Sequence, residues 1–114
     1  MILSVKPGVK FHSLAPQMVL AHSVVSMVFL RRALDCVITG GSDGKHSATS
    51  LHYSGNALDY RTRHITNTQA IEVHAEVRKN LPADFDVILH PRETTDGHVI
   101  TPGHLHVEYQ PRKP

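Results

Sequence analysis

Cysteine is nearly absent from this sequence: Cys36 stands alone, so no intramolecular disulfide and no cysteine-rich metal site can form. Its neighbours Val37 and Ile38 give it apolar company, which suits a buried structural thiol better than a nucleophile in an electropositive setting. Tryptophan is missing, aromatic residues make up only 5% of the chain, and the formal net charge is just +2 with Lys and Arg dispersed. Nucleic-acid binding needs a basic stripe to neutralise phosphates, so no nucleic-acid partner is expected. Long hydrophobic runs are lacking too. The most apolar stretch, Met18 to Leu30, is too short to span a bilayer and is interrupted by His22, Ser23 and Ser26, which predicts a core helix and no membrane partner. The first residues carry neither the charged start nor the continuous apolar stretch of a secretory signal. Synthesis in the cytoplasm without export by that route is the expectation.

What is present fits a folded chain. An apolar share of 40% and a charged share of 19% over 114 residues predict one domain, residues 1–114, because disordered chains combine low hydrophobicity with high net charge. Histidine is the excess, with ten residues of the commonest metal-ligating type.

Ser13-Leu14-Ala15-Pro16 reads as a helix start, and Leu14, Met18, Ala21, Val25 and Val28 recur at three- and four-residue spacing, predicting a helix to about Leu34 with one core-facing stripe. His22 beside that stripe reads as a structural histidine. Cys36 to Thr39 reads as a short buried strand, ended by Gly40-Gly41 and a polar loop. Asn56 to Arg61 alternates, so Ala57, Asp59 and Arg61 share one face, opposite Leu58 and Tyr60. Asn67 is read as the cap of a second helix over Thr68 to Asn80, with Ile71, His74 or Ala75, Val77 or Arg78, and Leu81 as its stripe and Pro82 as its stop. Strands are predicted at Phe85 to Leu89 and at His104 to Tyr109, with Pro91 to Gly103 irregular between them. This order implies an α+β domain: a small antiparallel sheet with helices packed on one face.

The chemistry concentrates in Ser50-Leu51-His52-Tyr53-Ser54-Gly55-Asn56-Ala57-Leu58-Asp59 and in Gly103-His104-Leu105-His106-Val107-Glu108. A bend at Ser54-Gly55 lets His52 lean back over the strand carrying Asp59, since Gly tolerates the backbone angles a turn needs. Residues 104, 106 and 108 share one strand face. If that strand pairs with the one carrying Asp59, then His52, Asp59 and His106 can converge on a tetrahedral zinc ion with its fourth position open.

The spacing Ser-x-His-x-x-Gly-x-Ala-x-Asp, followed by His-x-His, resembles the zinc D-Ala-D-Ala carboxypeptidase and phage L-Ala-D-Glu endopeptidase family, over roughly residues 36–110. The first motif matches that family's pattern completely. Relatives of the family include vancomycin-resistance dipeptidases and, sharing the zinc-site fold, the Hedgehog signalling domain and lysostaphin-type peptidases. The resemblance implies a Hedgehog/DD-peptidase-like fold, a zinc cofactor held by His52, Asp59 and His106, and His104 as the flanking catalytic histidine. It also implies hydrolysis of an amide bond in peptidoglycan stem peptides, either by a D,D-carboxypeptidase or by an L-Ala-D-Glu-type endopeptidase. A phage endolysin would be made in the cytoplasm and act on the cell wall.

One position departs from the pattern. Many members place Glu or Asp three residues before the last zinc-binding histidine as general base; that residue here is Gly103, and Thr101 stands three before His104. Glu93 and Asp96 in the upstream loop are alternatives for the role, with His104 placed first. Ser50, Arg61 and His46 are candidate substrate-binding residues, Arg61 as an anchor for a carboxylate. Glu108 can orient His104 or His106 as an outer carboxylate. The alternative reading is a zinc-binding, non-catalytic module or phage structural component of the same fold.

Overall fold

The computed structural model describes residues 2–11, 14–41, 55–96, 98–101 and 103–110. An extended segment, β1 (Leu3–Val5), precedes helix α1 (Pro16–Arg31), which carries Pro in its first turn where a missing N–H costs nothing. Met18, Ala21, Val25, Val28 and Phe29 are buried along one side of α1, the stripe that the three- and four-residue spacing predicts, with Phe29 added. Leu14 packs against the core from outside the helix, and the helix ends at Arg31 rather than at Leu34, with Ala33 in the left-handed region just beyond. Strands β2 (Cys36–Gly40) and β3 (Ala57–Arg61) follow.

Helix α2 (Asn67–Asn80) starts one residue earlier than its sequence suggests. Thr66, not Asn67, is the cap: its hydroxyl accepts from the Gln69 backbone N–H, while the Gln69 side chain accepts from the Thr66 N–H. The buried residues of α2 are Ala70, Val73 and Val77, while Ile71 is 60% exposed. Both stripes fit helical spacing; small Ala70 lets the backbone approach the sheet more closely than Ile71 would. The Arg78 guanidinium donates to the carbonyls of Leu81, Pro82 and Phe85, closing the end of α2 onto the next strand.

Strand β4 (Phe85–His90) leads into a hairpin of β5 (Glu93–Thr95) and β6 (His98–Thr101), where the sequence suggests only irregular chain. The final strand is β7 (His104–Tyr109). The main sheet has the order β1-β2-β3-β7-β4. Its β2–β3, β3–β7 and β7–β4 pairs are antiparallel, but β1 lies parallel to β2, so the sheet is mixed rather than antiparallel throughout.

The α+β class follows from this arrangement. Leu58 and Tyr60 of β3, Leu105 and Val107 of β7, and Val87 and Phe85 of β4 project to one side and join the buried residues of α1 and α2 in a single core. Burying each such side chain contributes roughly 1.5–3 kcal/mol before entropy is counted. Cys36 belongs to this core, and burial pushes its thiol up to about 12, which fits a structural residue. The Tyr60 hydroxyl meets His22 Nδ1 at 2.8 Å; burial lowers the His22 pKa and keeps its imidazole neutral, as a structural histidine requires. His64 and His74 donate to the carbonyls of Asp35 and Val87 and are likewise tied to the backbone. No helix among the described residues is long and apolar enough to cross a membrane.

Candidate metal centre

Strand alternation decides what the opposite face of the sheet presents. In β3 the odd residues Ala57, Asp59 and Arg61 turn away from the core, and in β7 the even residues His104, His106 and Glu108 do the same. The two strands are adjacent, with Asp59 opposite His106, Arg61 opposite His104 and Ala57 opposite Glu108. This pairing is the condition under which the two motifs meet, and it is satisfied.

Asp59, His104 and His106 offer ligand atoms that all lie within 4.8 Å of one another, the only such group of three among the described residues. His106 Nδ1 is 2.8 Å from Asp59 Oδ1, and His104 Nε2 is 3.6 Å from the same oxygen. Two ligand atoms on a tetrahedral zinc with bonds of about 2.0–2.1 Å sit roughly 3.4 Å apart, so these separations bracket what such an ion needs. Two imidazoles and one carboxylate are also the donor chemistry that suits zinc.

Close approach of the backbone makes room for the carboxylate. Gly40 pairs with Asp59 across β2–β3, and a Cβ at residue 40 would stand 2.6 Å from Asp59 Oδ2 and 3.1 Å from Asp59 Cβ. Any larger residue would push the aspartate off its position. Gly55, placed by the sequence at the bend before β3, has φ +76°, in the left-handed region that favours glycine.

Glu108 closes the other side of His106. Its Oε1 lies 2.8 Å from His106 Nε2, so the imidazole has a carboxylate on each ring nitrogen. Burial by itself pulls the His106 pKa down, but the hydrogen bonds and charges of Asp59 and Glu108 outweigh it and the net shift is upward. An outer carboxylate of this kind fixes the tautomer and ring orientation of a metal-binding histidine. If the cluster holds a zinc ion, Glu108→Gln should weaken its binding by about 10–100-fold without abolishing it, measured by competition against a chelating dye.

Three of the candidate residues named from sequence, His52, Ser50 and His46, lie outside the described residues. Arg61 is half-buried at the end of β3, beside the cluster. Glu93 and Asp96 do not join it: both are exposed in the β5–β6 hairpin, with no hydrogen bond or ion pair to Asp59, His104 or His106 among the described contacts. His90, not among the candidates named from sequence, does reach the site. His90 pairs with His104 across β4–β7; its ring stacks on His104 at a centroid distance of 4.5 Å and stands edge-on to His106 at 6.4 Å. Only the register of β4 on β7 reveals it.

At Gly103 the backbone leaves no room for a side chain. Gly103 has φ +74°, and a Cβ there would lie 2.5 Å from the His90 carbonyl oxygen and 2.9 Å from the Pro91 carbonyl carbon. Those are backbone atoms that cannot swing aside. Gly103→Ala should destabilise the fold by at least about 1–3 kcal/mol, read from the midpoint of urea unfolding.

Comparison with known proteins adds no family to this geometry: no family model, no curated protein and no solved structure matches the chain.

Proposed function

We propose that this chain is a zinc-dependent peptidase of the D-Ala-D-Ala carboxypeptidase and L-Ala-D-Glu endopeptidase type, hydrolysing an amide bond in peptidoglycan stem peptides. The observation that carries the reading is the meeting of Asp59, the last residue of an intact Ser-x-His-x-x-Gly-x-Ala-x-Asp motif, with His104 and His106 on one sheet face. Asp59 and His106 would hold the ion, with His52 as the third ligand in the motif's pattern. Bound zinc supplies a Lewis acid for the scissile carbonyl and an acidified water near neutral pH.

The chain's own residues divide the remaining work. Glu108 holds the His106 ring so that its other nitrogen faces Asp59. His104, 36% exposed at the side chain, is the group placed to take a proton from water and return it to the leaving amine. His90, stacked on it, limits the orientations that the His104 ring can take. Arg61, opposite His104, is placed to anchor a substrate carboxylate. The fold would then be Hedgehog/DD-peptidase-like in its zinc site, and a phage endolysin acting on the cell wall is the biological setting that the sequence suggests.

A second reading, a zinc-binding module without hydrolysis, is favoured by one observation: Gly103 excludes any acidic side chain at the family's base position. Digestion of purified muropeptides by the zinc-loaded chain, followed by mass spectrometry, separates the two. Loss of a terminal D-Ala or cleavage within the stem supports the peptidase; bound zinc with intact muropeptides supports the module.

A further inference from the structure

A surface helix normally carries charged or polar residues opposite its core stripe. Helix α1 does not: Pro16 to Leu30 contains no Asp, Glu, Lys or Arg. The core takes Met18, Ala21, Val25, Val28 and Phe29. Leu20, Val24 and Met27 form a second stripe at helical spacing on the outer side, where Leu20 is 70% and Met27 43% exposed. The serines beside it are already satisfied. Ser23 Oγ donates to the Val19 carbonyl and Ser26 Oγ to the Ser23 carbonyl, each at 3.1 Å. A groove of about 340 Å³ continues the stripe from Leu20 and Val24 to Leu81, Pro82, Phe85 and Tyr109.

The charge pattern says what covers this face. A helix that lies on a membrane flanks its apolar side with Lys and Arg, and α1 has none before Arg31. Its charges sit at the two ends and are opposite in sign. Asp84 lines the groove together with Gln17 at the start of the helix, and Arg31 is exposed at its end, where the guanidinium also meets Glu76. At a two-fold axis a surface meets its own copy, so its centre must be free of charge and its two ends must complement each other. The outer side of α1 meets both conditions.

We propose that α1 is the interface of a homodimer, in which two copies of this chain pack antiparallel through Leu20, Val24 and Met27. With Ser23 and Val24 at the axis, Leu20 of one copy packs on Met27 of the other, and Arg31 of one comes to the Asp84 end of the other. Asp59, His104 and His106 lie on the sheet face away from the core that α1 covers, so association covers neither cluster and needs no metal. A single helix face is smaller than the roughly 800 Å² per partner of a standard interface, so the dimer is weak, with a Kd on the order of 100 µM.

Sedimentation equilibrium of the full-length chain in the presence of a chelator, from about 10 µM to 1 mM, should show a monomer–dimer equilibrium in that range. Leu20→Glu and Met27→Lys should each weaken it at least ~10-fold, since each sets a charge against an apolar side chain. Both positions are exposed, so helix content by circular dichroism and the urea midpoint should stay at parent values. The two substitutions combined in one chain should restore association to within about 3-fold of the parent, because opposite charges then meet across the antiparallel interface. Ile71→Lys, at an exposed position on α2, should leave the dimer unchanged. A monomer throughout the range, or a dimer equally stable in Leu20→Glu and Met27→Lys, would overturn the proposal. Two weakened single variants without rescue in the double would overturn the antiparallel arrangement. A monomer that binds phosphatidylcholine vesicles, and loses that binding in Leu20→Glu, would overturn the dimer and assign the face to a membrane.

Discussion

His106→Ala should abolish tight zinc binding, with an affinity loss of more than about 100-fold. Removing an outer carboxylate typically costs 10–100-fold, and removing the ligand that the carboxylate orients must cost more. His106 stands at the centre of the arrangement: Asp59 lies on one ring nitrogen and Glu108 on the other, and the residue is fixed by ladders to both β3 and β4. Asp59→Asn should act in the same direction, because it keeps the shape and removes the anionic donor. Neither side chain faces the apolar core, so both variants should retain the far-ultraviolet circular dichroism of the parent chain. Dialysis against a zinc buffer followed by elemental analysis gives the affinity directly. Retention of parent-level zinc by His106→Ala would remove this residue from the metal centre.

His104→Ala is expected to separate binding from chemistry. A positioned general acid–base contributes about 10²–10⁴-fold to rate, so muropeptide hydrolysis should fall by that factor in kcat. Zinc affinity should change by less than about tenfold if His52, Asp59 and His106 form the ligand set. His104 Nε2 is also near enough to Asp59 to serve as a ligand itself, at 3.6 Å. The two roles give opposite results in one pair of variants. If His104 is the catalytic group, His52→Ala loses zinc and His104→Ala keeps it; if His104 is the ligand, the loss falls on His104→Ala instead.

How much of this arrangement the sequence discloses depends on the length and alternation of each segment. β3 and β7 are legible because Leu58 and Tyr60, and Leu105 and Val107, alternate with polar residues, and that alternation alone puts Asp59 and His106 on the face away from the core. α1 is legible for the same reason at helical spacing. β1 is not: Leu3-Ser4-Val5 is too short for its alternation to mark a strand, all three residues are exposed, and their hydrogen bonds to β2 are what make them one. Missing β1 also hides the parallel pairing.

The β5–β6 hairpin did carry a signal. The dipeptide Asp-Gly at 96–97 is a favoured hairpin-turn sequence, Thr95 pairs with His98, and Asp96 takes φ +53°. An irregular loop over 91–103 would leave Glu93 and Asp96 free to approach the site, whereas the hairpin holds both exposed and outside the Asp59 cluster. His90 is a different case. Its approach to His104 depends on strand register between β4 and β7, and nothing local to residues 85–90 sets that register. Gly103 is different again, for its sequence shows an absent acid, while its left-handed φ and the His90 carbonyl explain why none fits.

The most direct test is the zinc content of the purified full-length chain after equilibration with a zinc buffer and removal of loosely held metal. The metal centre on the β3–β7 face predicts one zinc ion per chain, falling to background in Asp59→Asn. Zinc at background in the parent chain, or equal zinc in the parent and in Asp59→Asn, would contradict it.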